Sequence, residues 1–374
     1  MKNSVLLVGL FIASINFSCA QEPENKVDTI ENPPFSAELL FDEMQIPWGI
    51  TFLPDETILV TEKSGELYHF KNGQRTAIKN VPKVYTRGQG GLLDIEVHPD
   101  YINNGWVYIS YASSEGDEKG GHTALMRAKI KDNALINKEL LYKAGPNTTK
   151  GQHFGSRIVF DKEGYLFLSI GERGARDENP QNISRDGGKI YRFNADGSIP
   201  KDNPFVGTKG AKTAIFSYGH RNPQGLIEHP KTGEIWDHEH GPRGGDEINV
   251  IQSGKNYGWP LVTFGINYSG TTITEKTKME GMEQPIHYWL PSIAPSGMAF
   301  ITTNNYGSEW NGSLLVGSLK FQYLERLVLD GTKVLKREKL VADLGRVRDV
   351  KEGPDGLIYL AIEGKGIYKL VPKI

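Results

Sequence analysis

The sequence predicts an all-β fold, specifically a six-bladed β-propeller with long functional loops on one face. The first observation is a repeat, in which a turn rich in Pro, Asp and Gly precedes two β-forming runs separated by a second turn. Its copies start near positions 54, 99, 161, 230, 306 and 354. The second observation is that strand-like alternation prevails over the helical period of 3.6 residues. Six units, some with long insertions, suit a propeller.

The composition is that of a turn-rich globular protein. Glycine accounts for 43 of the 374 residues, well above the usual share of about 7%. The 43 Lys and Arg residues against 45 Asp and Glu residues give a net charge of −2. This balance argues against a nucleic-acid partner, because binding to a phosphate backbone needs a strong basic excess.

Residues 1–19 have the proportions of an export signal, with Lys2 followed by an apolar run and small residues. The run is shorter than the roughly 20 apolar residues that span a membrane. The single cysteine, Cys19, lies where cleavage is expected. This resembles a bacterial lipoprotein signal, and an ordinary signal peptide is the alternative. We therefore expect an exported protein, either periplasmic or tethered to the bacterial membrane surface through lipid on Cys19.

Two further segments complete the predicted domain organisation. Residues 20–35 are polar, with acidic residues and two adjacent prolines, and we expect them to form a flexible tether. Residues 36–374 are expected to form one propeller domain. Within it, Ala37–Met44 precedes the first repeat unit. We expect this segment to add a strand to the last blade and close the ring.

Polar, glycine-rich insertions interrupt the repeat at five places. They combine glycine with His, Arg, Gln or Asp, and loops of this kind usually carry the function of a β scaffold. These insertions are residues 87–94, 151–157, 218–225, 237–249 and 345–349. The chemistry of the protein is therefore expected in these segments, since a propeller by itself hosts many functions.

The strings GQHFGSR, GHRNPQG, EHGPRGGDEIN, NYGWP and GRVRDV occur in that order and resemble the quinoprotein sugar dehydrogenases. These are the soluble glucose and aldose sugar dehydrogenases that use pyrroloquinoline quinone (PQQ). The resemblance runs from about Ile46 to Leu370, and the family fold is also a six-bladed propeller. It implies oxidation of an aldose at C1 to the lactone, by His-assisted hydride transfer to the quinone. Electrons would then pass to an external acceptor.

The resemblance implies catalytic roles for individual residues. His153 matches the family's general base, which takes the C1 hydroxyl proton, and an unshifted imidazole titrates near ~6.5. Glu172 lies where the family has a carboxylate that orients this histidine, an Asp in the member compared. Arg221 and Asn222 match the pair beside the quinone carbonyls, where a fixed cation would stabilise developing negative charge.

The cofactor implied by the resemblance carries three carboxylates, so its pocket needs cationic and polar partners. Besides Arg221 and Asn222, the residues that match cofactor positions are Gln89, Tyr268, Ser292, Lys320, Arg346 and Arg348. Arg346 and Arg348 could alternatively form ion pairs on the blade surface instead of binding the cofactor.

Calcium is the second cofactor that the resemblance implies. One ion would bind the quinone together with the backbone carbonyls of Gly241 and Pro242. Glu247 and the Tyr257 carbonyl match a second, structural site, and Asp246 is an adjacent candidate. Ligation by oxygen alone suits a hard cation, and the first ion would polarise the quinone as a Lewis acid.

The segment His238-Glu239-His240 looks like a transition-metal cluster. On a strand, however, His238 and His240 share a face while Glu239 points away, so a third ligand would have to come from elsewhere. We therefore favour a structural role for the two histidines.

Two other functions compete with sugar oxidation. A calcium-dependent propeller hydrolase or lactonase would need a central cage of carboxylates and amides, whereas the loops offer mainly Arg, Lys, Gln and His. A non-catalytic exported binding propeller is the other alternative. The nicotinamide fingerprint GxGxxG between a strand and a helix is not seen. A small-molecule aldose is the expected substrate, and both a monomer and a homodimer are compatible with the sequence.

Overall fold

The computed structural model describes residues 27–373 and folds into a six-bladed β-propeller. The fold is built from antiparallel four-stranded sheets, and the described part contains one four-residue helix. The first three blades contain β3 (Pro47–Phe52), β4 (Ile58–Glu62), β5 (Glu66–Lys71), β6 (Gln74–Ile78), β7 (Leu92–Val97), α1 (Tyr101–Asn104), β8 (Trp106–Ser113), β9 (His122–Lys131), β10 (Ala134–Lys143), β11 (Ile158–Phe160), β12 (Leu166–Ile170), β13 (Lys189–Phe193) and β14 (Ile215–Tyr218).

The other three blades include the two N-terminal strands. They contain β1 (Asp28–Thr29), β2 (Phe35–Phe41), β15 (Pro223–Glu228), β16 (Ile235–Glu239), β17 (Asp246–Ile251), β18 (His287–Trp289), β19 (Pro295–Phe300), β20 (Leu314–Ser318), β21 (Leu324–Asp330), β22 (Lys333–Leu340), β23 (Val347–Glu352), β24 (Ile358–Ile362) and β25 (Gly366–Pro372). The fold class predicted from the repeat is therefore confirmed.

The ring closes through the N-terminal strand β2. It pairs with β25 in antiparallel register, with Phe35 opposite Pro372, so the sixth blade combines strands from both ends of the described chain. Phe35 is buried and its ring packs edge-on against Tyr306 and Trp310. The expected closing strand is thus present, and it begins two residues earlier than the predicted segment.

The short strand β1 differs from the flexible tether expected over residues 20–35. Asp28 and Thr29 pair in parallel with Glu338 and Lys339 of β22, which makes the fifth blade five-stranded. The folded part therefore starts before residue 36. The expected export signal and Cys19 lie outside the described residues. No helix between residues 27 and 373 is long and apolar enough to cross a membrane.

Neighbouring blades are held together by apolar side chains from their facing surfaces. Leu59, Leu92 and Ile109 are fully buried between the first and second blades. Between the fourth and fifth blades, the Trp236 and Phe300 rings meet edge-on at 5.5 Å. Each blade thus buries its apolar residues against the next blade, as propeller geometry requires.

An ion cluster ties the inner strands together at the axis of the ring. The Arg157 guanidinium lies 3.2 Å from Asp94 and 2.9 Å from Asp349, and all three side chains are buried. Arg157 also lies over the Trp48 ring at 4.2 Å. The cluster joins residues from four blades, so it fixes their relative positions below the loop face.

The loops with predicted functional residues open at the same end of the propeller. In an antiparallel blade, the turn between the second and third strands and the connection to the next blade lie at one end. The long excursion of residues 252–286 between β17 and β18 reaches this loop face as well, because Ile266 pairs with Arg243. This arrangement confirms the prediction of long loops on one face.

Candidate active site

Two adjoining cavities occupy the loop face. A central cavity of about 360 Å³ lies over the inner strands and is lined by Trp48, Lys63, Arg346 and Arg348, among others. An outer cavity of about 560 Å³ contains His153, Glu172 and Arg221 in its wall. Gln89 lines both cavities, so a single flat ligand could extend from one to the other.

His153 and Glu172 form a hydrogen-bonded dyad in the outer cavity. The His153 Nδ1 atom contacts Glu172 Oε1, and Glu172 is 2% exposed. Burial, reinforced by the nearby Arg221 charge, lowers the pKa of His153. Burial alone would raise the pKa of Glu172, but its hydrogen bond with His153 holds that pKa below the usual value. The dyad is therefore a neutral imidazole that donates Nδ1–H to a carboxylate, which leaves Nε2 as the ring's proton acceptor.

The loop that carries His153 is held in an unusual backbone conformation. His153 has a φ of 58°, in the left-handed region that few non-glycine residues adopt. Its backbone N–H donates to Gln89 Oε1 at 2.6 Å. Gly171 packs directly against His153. A Cβ added to Gly171 would lie 2.4 Å from the His153 carbonyl oxygen and 2.6 Å from the Asn222 amide oxygen. Backbone strain of this kind is frequent at functional sites.

Arg221 and Asn222 differ in their access to the outer cavity. The Arg221 guanidinium donates to the carbonyls of His240 at 2.9 Å and Gly241 at 2.6 Å, and it lies over the Trp259 ring. Asn222 is fully buried, and its amide oxygen accepts from the Gly155 N–H at 3.1 Å. Its amide nitrogen has no partner among the described residues. Arg221 thus faces the cavity, while Asn222 supports it from below.

Arg346 and Arg348 line the central cavity and share one carboxylate. Both guanidinium groups contact Glu363, and Arg346 also donates to the Leu319 carbonyl at 2.9 Å. Both arginines thus form ion pairs, as the alternative for them supposed. The pairs, however, face the cavity instead of the outer blade surface. Lys63 lies in the same wall, and burial, together with the charge of Arg348, lowers its pKa.

Lys320, Tyr268 and Ser292, which the resemblance places near the cofactor, differ in their surroundings. Lys320 is exposed, with its Nζ atom 5.0 Å from the Phe321 ring. Tyr268 is 74% exposed at the rim of the outer cavity. Ser292 lines neither cavity. Its hydroxyl accepts from Gly244 N–H at 3.0 Å and donates to the Pro242 carbonyl at 3.3 Å.

The turn that contains Gly241 and Pro242 is held in place by hydrogen bonds to the Asp246 carboxylate. Asp246 accepts from the backbone N–H groups of Gly241 and Ala294, each at 2.8 Å. Each of its carboxylate oxygens therefore holds one backbone segment, so Asp246 anchors the turn. Pro242 lines the outer cavity, which brings this turn to the edge of the candidate site.

Glu247 and Tyr257 border a separate cavity of about 10 Å³, together with Glu239. This volume accommodates a single water-sized particle. Burial, with the neighbouring Glu239 charge, raises the pKa of Glu247 well above its usual range. A cation would relieve that clustering of carboxylates, and the oxygen donors suit a hard ion.

His238 and His240 are held by backbone groups. The Nε2 atom of His238 lies 3.3 Å from the Gly297 carbonyl, and that of His240 lies 2.8 Å from the Pro295 carbonyl. These contacts agree with the structural role favoured for the two histidines.

Lys63 and Glu363 were not identified from the sequence. Both occupy the turn between the second and third strands of a blade, the position that Glu172, His240 and Lys320 take in other blades. Alignment of the repeat units would therefore have pointed to them. Trp259, which packs against Arg221, also lies in the wall of the outer cavity.

Comparison with known proteins assigns the chain to a family. Residues 44–369 match the family model for glucose/sorbosone dehydrogenases. The chain is 41% identical to aldose sugar dehydrogenase YliI of Escherichia coli strain K12, over 90% of this chain and 93% of that protein.

Solved structures of similar proteins have the same fold. The apo form of soluble aldose sugar dehydrogenase from Escherichia coli superposes with a TM-score of 0.87 at 39% identity, covering 91% of this chain and all of that one. The PQQ-bound aldose sugar dehydrogenase from Streptomyces coelicolor gives 0.73 at 26% identity, with 91% and 99% covered. The resemblance to sugar dehydrogenases is confirmed: this chain belongs to the glucose/sorbosone dehydrogenase family and is an oxidoreductase.

Proposed function

We propose that this chain oxidises aldose sugars at C1 to lactones, with PQQ bound across the two cavities and calcium beside it. Electrons leave to an external acceptor. The observation that carries the proposal is the juxtaposition of the His153–Glu172 dyad and Arg221 in one cavity wall. That wall adjoins a cavity lined by Lys63, Arg346 and Arg348.

The charges in the central cavity fit a multiply anionic cofactor. Lys63, Arg346 and Arg348 face a single carboxylate, Glu363, so the cavity keeps an excess of positive charge. Guanidinium groups are well suited to carboxylate partners, and these arginines would exchange part of their contact with Glu363 for the cofactor. When bound, PQQ supplies an electrophilic quinone that accepts the hydride from sugar C1.

His153 would remove the proton that sugar oxidation releases. Its imidazole is neutral because burial lowers its pKa, so it can accept the C1 hydroxyl proton at Nε2. The positive charge that then forms on the ring is stabilised by Glu172, which already contacts Nδ1. The dyad thus takes the proton from the C1 hydroxyl oxygen while the hydride leaves C1 itself.

Arg221 would provide a fixed positive charge beside the reacting groups. Its side chain is held by the carbonyls of His240 and Gly241 and by the Trp259 ring. A cation held in place before the reaction stabilises developing negative charge without reorganisation. Asn222, buried beneath it, keeps the loops of Arg221 and His153 together.

Calcium is proposed at two places. The Gly241 and Pro242 carbonyls would hold one ion at the edge of the outer cavity, where a divalent cation acts as a Lewis acid. Glu247 and the Tyr257 carbonyl would hold the other in the small cavity next to Glu239. The second ion would neutralise buried carboxylates and stabilise the fold.

The outer cavity is open and polar, which suits a sugar. Lys150, Gln152 and Asn267 line it, and Tyr268 lies at its rim, so hydroxyl groups of an aldose would find donors and acceptors there. A hydrolase of the alternative type needs several carboxylates around its ion. Among the described residues that line the central cavity, Glu363 is the only one with a carboxylate, which disfavours that alternative.

Export is proposed from residues 1–19, with Cys19 as the site of lipid attachment. Cell fractionation of the wild type and of Cys19→Ser tests this, since loss of the thiol is expected to release the protein from membranes. An equal distribution of both proteins would contradict lipid anchoring.

Reconstitution of the purified apo protein tests the proposed function. With PQQ and Ca²⁺ added, aldoses are expected to reduce a redox dye, and omission of either cofactor is expected to abolish this. An Arg348→Gln variant should need more PQQ for the same rate, because one cationic partner is lost. If no aldose supports dye reduction and no quinone absorption remains with the protein, the proposal is wrong.

A further inference from the structure

A second group of metal-ligating side chains lies beneath the candidate site, on the other face of β16. Asp237 and Glu239 point away from His238 and approach His220, which precedes β15. The exposed fractions of His220, Asp237 and Glu239 are 0%, 0% and 4%. The three candidate ligand atoms lie within 4.8 Å of one another.

The distances in this cluster match the coordination shell of a small ion. His220 Nδ1 lies 3.2 Å from Glu239 Oε1 and 3.6 Å from Asp237 Oδ2. For metal–ligand bonds of about 2.0–2.2 Å, two ligands of a tetrahedral ion are about 3.3–3.6 Å apart. The two distances from His220 are close to this spacing, and the third pair lies within 4.8 Å, so the two carboxylates would have to move closer together around an ion.

The surroundings of His220 set its ring for ligation through Nδ1. Its Nε2 atom lies 2.9 Å from the Ser217 hydroxyl, and its ring stacks on Tyr257 at 4.5 Å. A ligating histidine usually donates its other N–H to a fixed acceptor. With Nε2–H donated to Ser217, the Nδ1 lone pair points toward the two carboxylates.

Unsatisfied polar atoms provide an independent sign of a missing ligand. Both carboxylate oxygens of Asp237 and both amide atoms of Asn249 lack hydrogen-bond partners among the described residues. Asn249 is 1% exposed and lies opposite Asp237 in the register of β16 and β17. Buried polar groups are rarely left unpaired, and an ion between them would satisfy both residues.

The charge balance in this part of the fourth blade also calls for a cation. Asp237 and Glu239 lie two residues apart on β16, and Glu247 lies opposite Glu239 on β17. The nearby Arg221 directs its guanidinium to the carbonyls of His240 and Gly241, away from Asp237. A divalent ion would balance the negative charge that these carboxylates bring together.

We propose that His220, Asp237 and Glu239 bind a divalent transition-metal ion, with Asn249 as the fourth ligand. The imidazole donor favours such an ion over calcium, which prefers oxygen ligands throughout. The site adjoins the proposed calcium site, because Glu239 also borders the cavity of Glu247 and Tyr257. It differs from that site in its His220 and Asp237 ligands, and it does not depend on the cofactor or the substrate.

The proposed site is coupled to the loop that carries Arg221. The second Glu239 oxygen accepts from the backbone N–H groups of Arg221 and Asn222 at 2.5 and 3.3 Å. An ion on the first oxygen would fix Glu239 and, through it, this loop. Metal binding is therefore expected to rigidify the loop as well as to stabilise the blade.

Metal analysis of the full chain tests the proposal. Protein produced with added zinc and then dialysed in excess calcium is expected to retain about one zinc ion per chain. Asp237→Asn is expected to lose it. His238→Gln is the matched control on the same strand and is expected to keep it, because His238 contacts the Gly297 carbonyl on the opposite face.

Cobalt substitution keeps the test decisive if Asp237→Asn fails to fold. Wild-type protein produced with cobalt is expected to show the visible absorption of a tetrahedral site with nitrogen and oxygen ligands. A wild-type chain without stoichiometric zinc or cobalt absorption would overturn the proposal. So would a folded Asp237→Asn variant with unchanged zinc content.

Discussion

His153 and Glu172 illustrate how single residues acquire their proposed roles from their surroundings. A histidine in a glycine-rich loop is by itself an ordinary observation. Its meaning comes from the Glu172 carboxylate at Nδ1, the Arg221 charge nearby and burial, which together leave a neutral, oriented base. The motif order predicted both residues. It could not predict that Gln89 holds the His153 backbone, because this contact joins loops from different blades.

Glu172→Gln is predicted to lower kcat/KM by about tenfold or more and to shift its acid limb to lower pH. The reason is that the carboxylate favours the protonated imidazole, so its removal lowers the pKa of His153 further and makes it a weaker base. A pH profile of sugar oxidation checks both effects. Glu163→Gln, at an exposed turn remote from the loop face, is the control.

An acid limb for Glu172→Gln that coincides with the wild-type limb would contradict the dyad. A shift to higher pH would do so as well, since the sign follows directly from the loss of a neighbouring negative charge.

At the scale of elements, the connections matter more than the strands. The strands were predictable because each blade repeats a local pattern of turn and alternating residues. The excursion of residues 252–286 was not, because its path depends on pairing with distant segments such as Arg243. Lys63 and Glu363 occupy equivalent turns of the repeat, but that they line one cavity follows only from ring closure, which brings the first and last blades together.

Gly171→Ala is predicted to displace the His153 loop. The added methyl group would meet the His153 carbonyl and the Asn222 amide, at a cost of about 1–3 kcal/mol. Sugar oxidation is expected to fall more than PQQ affinity, because His153 moves while Arg346 and Arg348 do not. Steady-state kinetics and thermal unfolding check this. Gly145→Ala, where no atom lies within 4 Å of the new Cβ, is the control.

Equal losses of stability and activity in both glycine variants would show that the effect does not come from the contact between Gly171 and His153.

At the scale of the whole molecule, two features hold the ring together: the closing strand β2 and the buried ion cluster at the axis. The closing strand was predicted because the segment before the first repeat has the character of a strand. The axial cluster of Arg157, Asp94 and Asp349 was not predicted, since the three residues lie far apart in the sequence. The cluster lies below the central cavity and connects the blades that carry the candidate site.

Arg157→Met is predicted to reduce the free energy of unfolding by about 3–5 kcal/mol, the usual cost of removing one partner of a buried ion pair. Burial already raises the pKa of Asp94 to about 6, and loss of the guanidinium would leave two carboxylates unpaired. Chemical denaturation at neutral pH checks this. Arg75→Met, which removes an exposed ion pair with Glu43, should change stability little. Similar stability of the two variants would contradict a stabilising role for the axial ion cluster.

The proposed function requires His153 to act as the base while the cofactor is held by other residues. The most direct measurement is therefore made on His153→Gln reconstituted with PQQ and Ca²⁺. We predict cofactor binding close to that of the wild type, with sugar oxidation slower by about 10²-fold or more. Wild-type turnover in this variant would contradict the central claim.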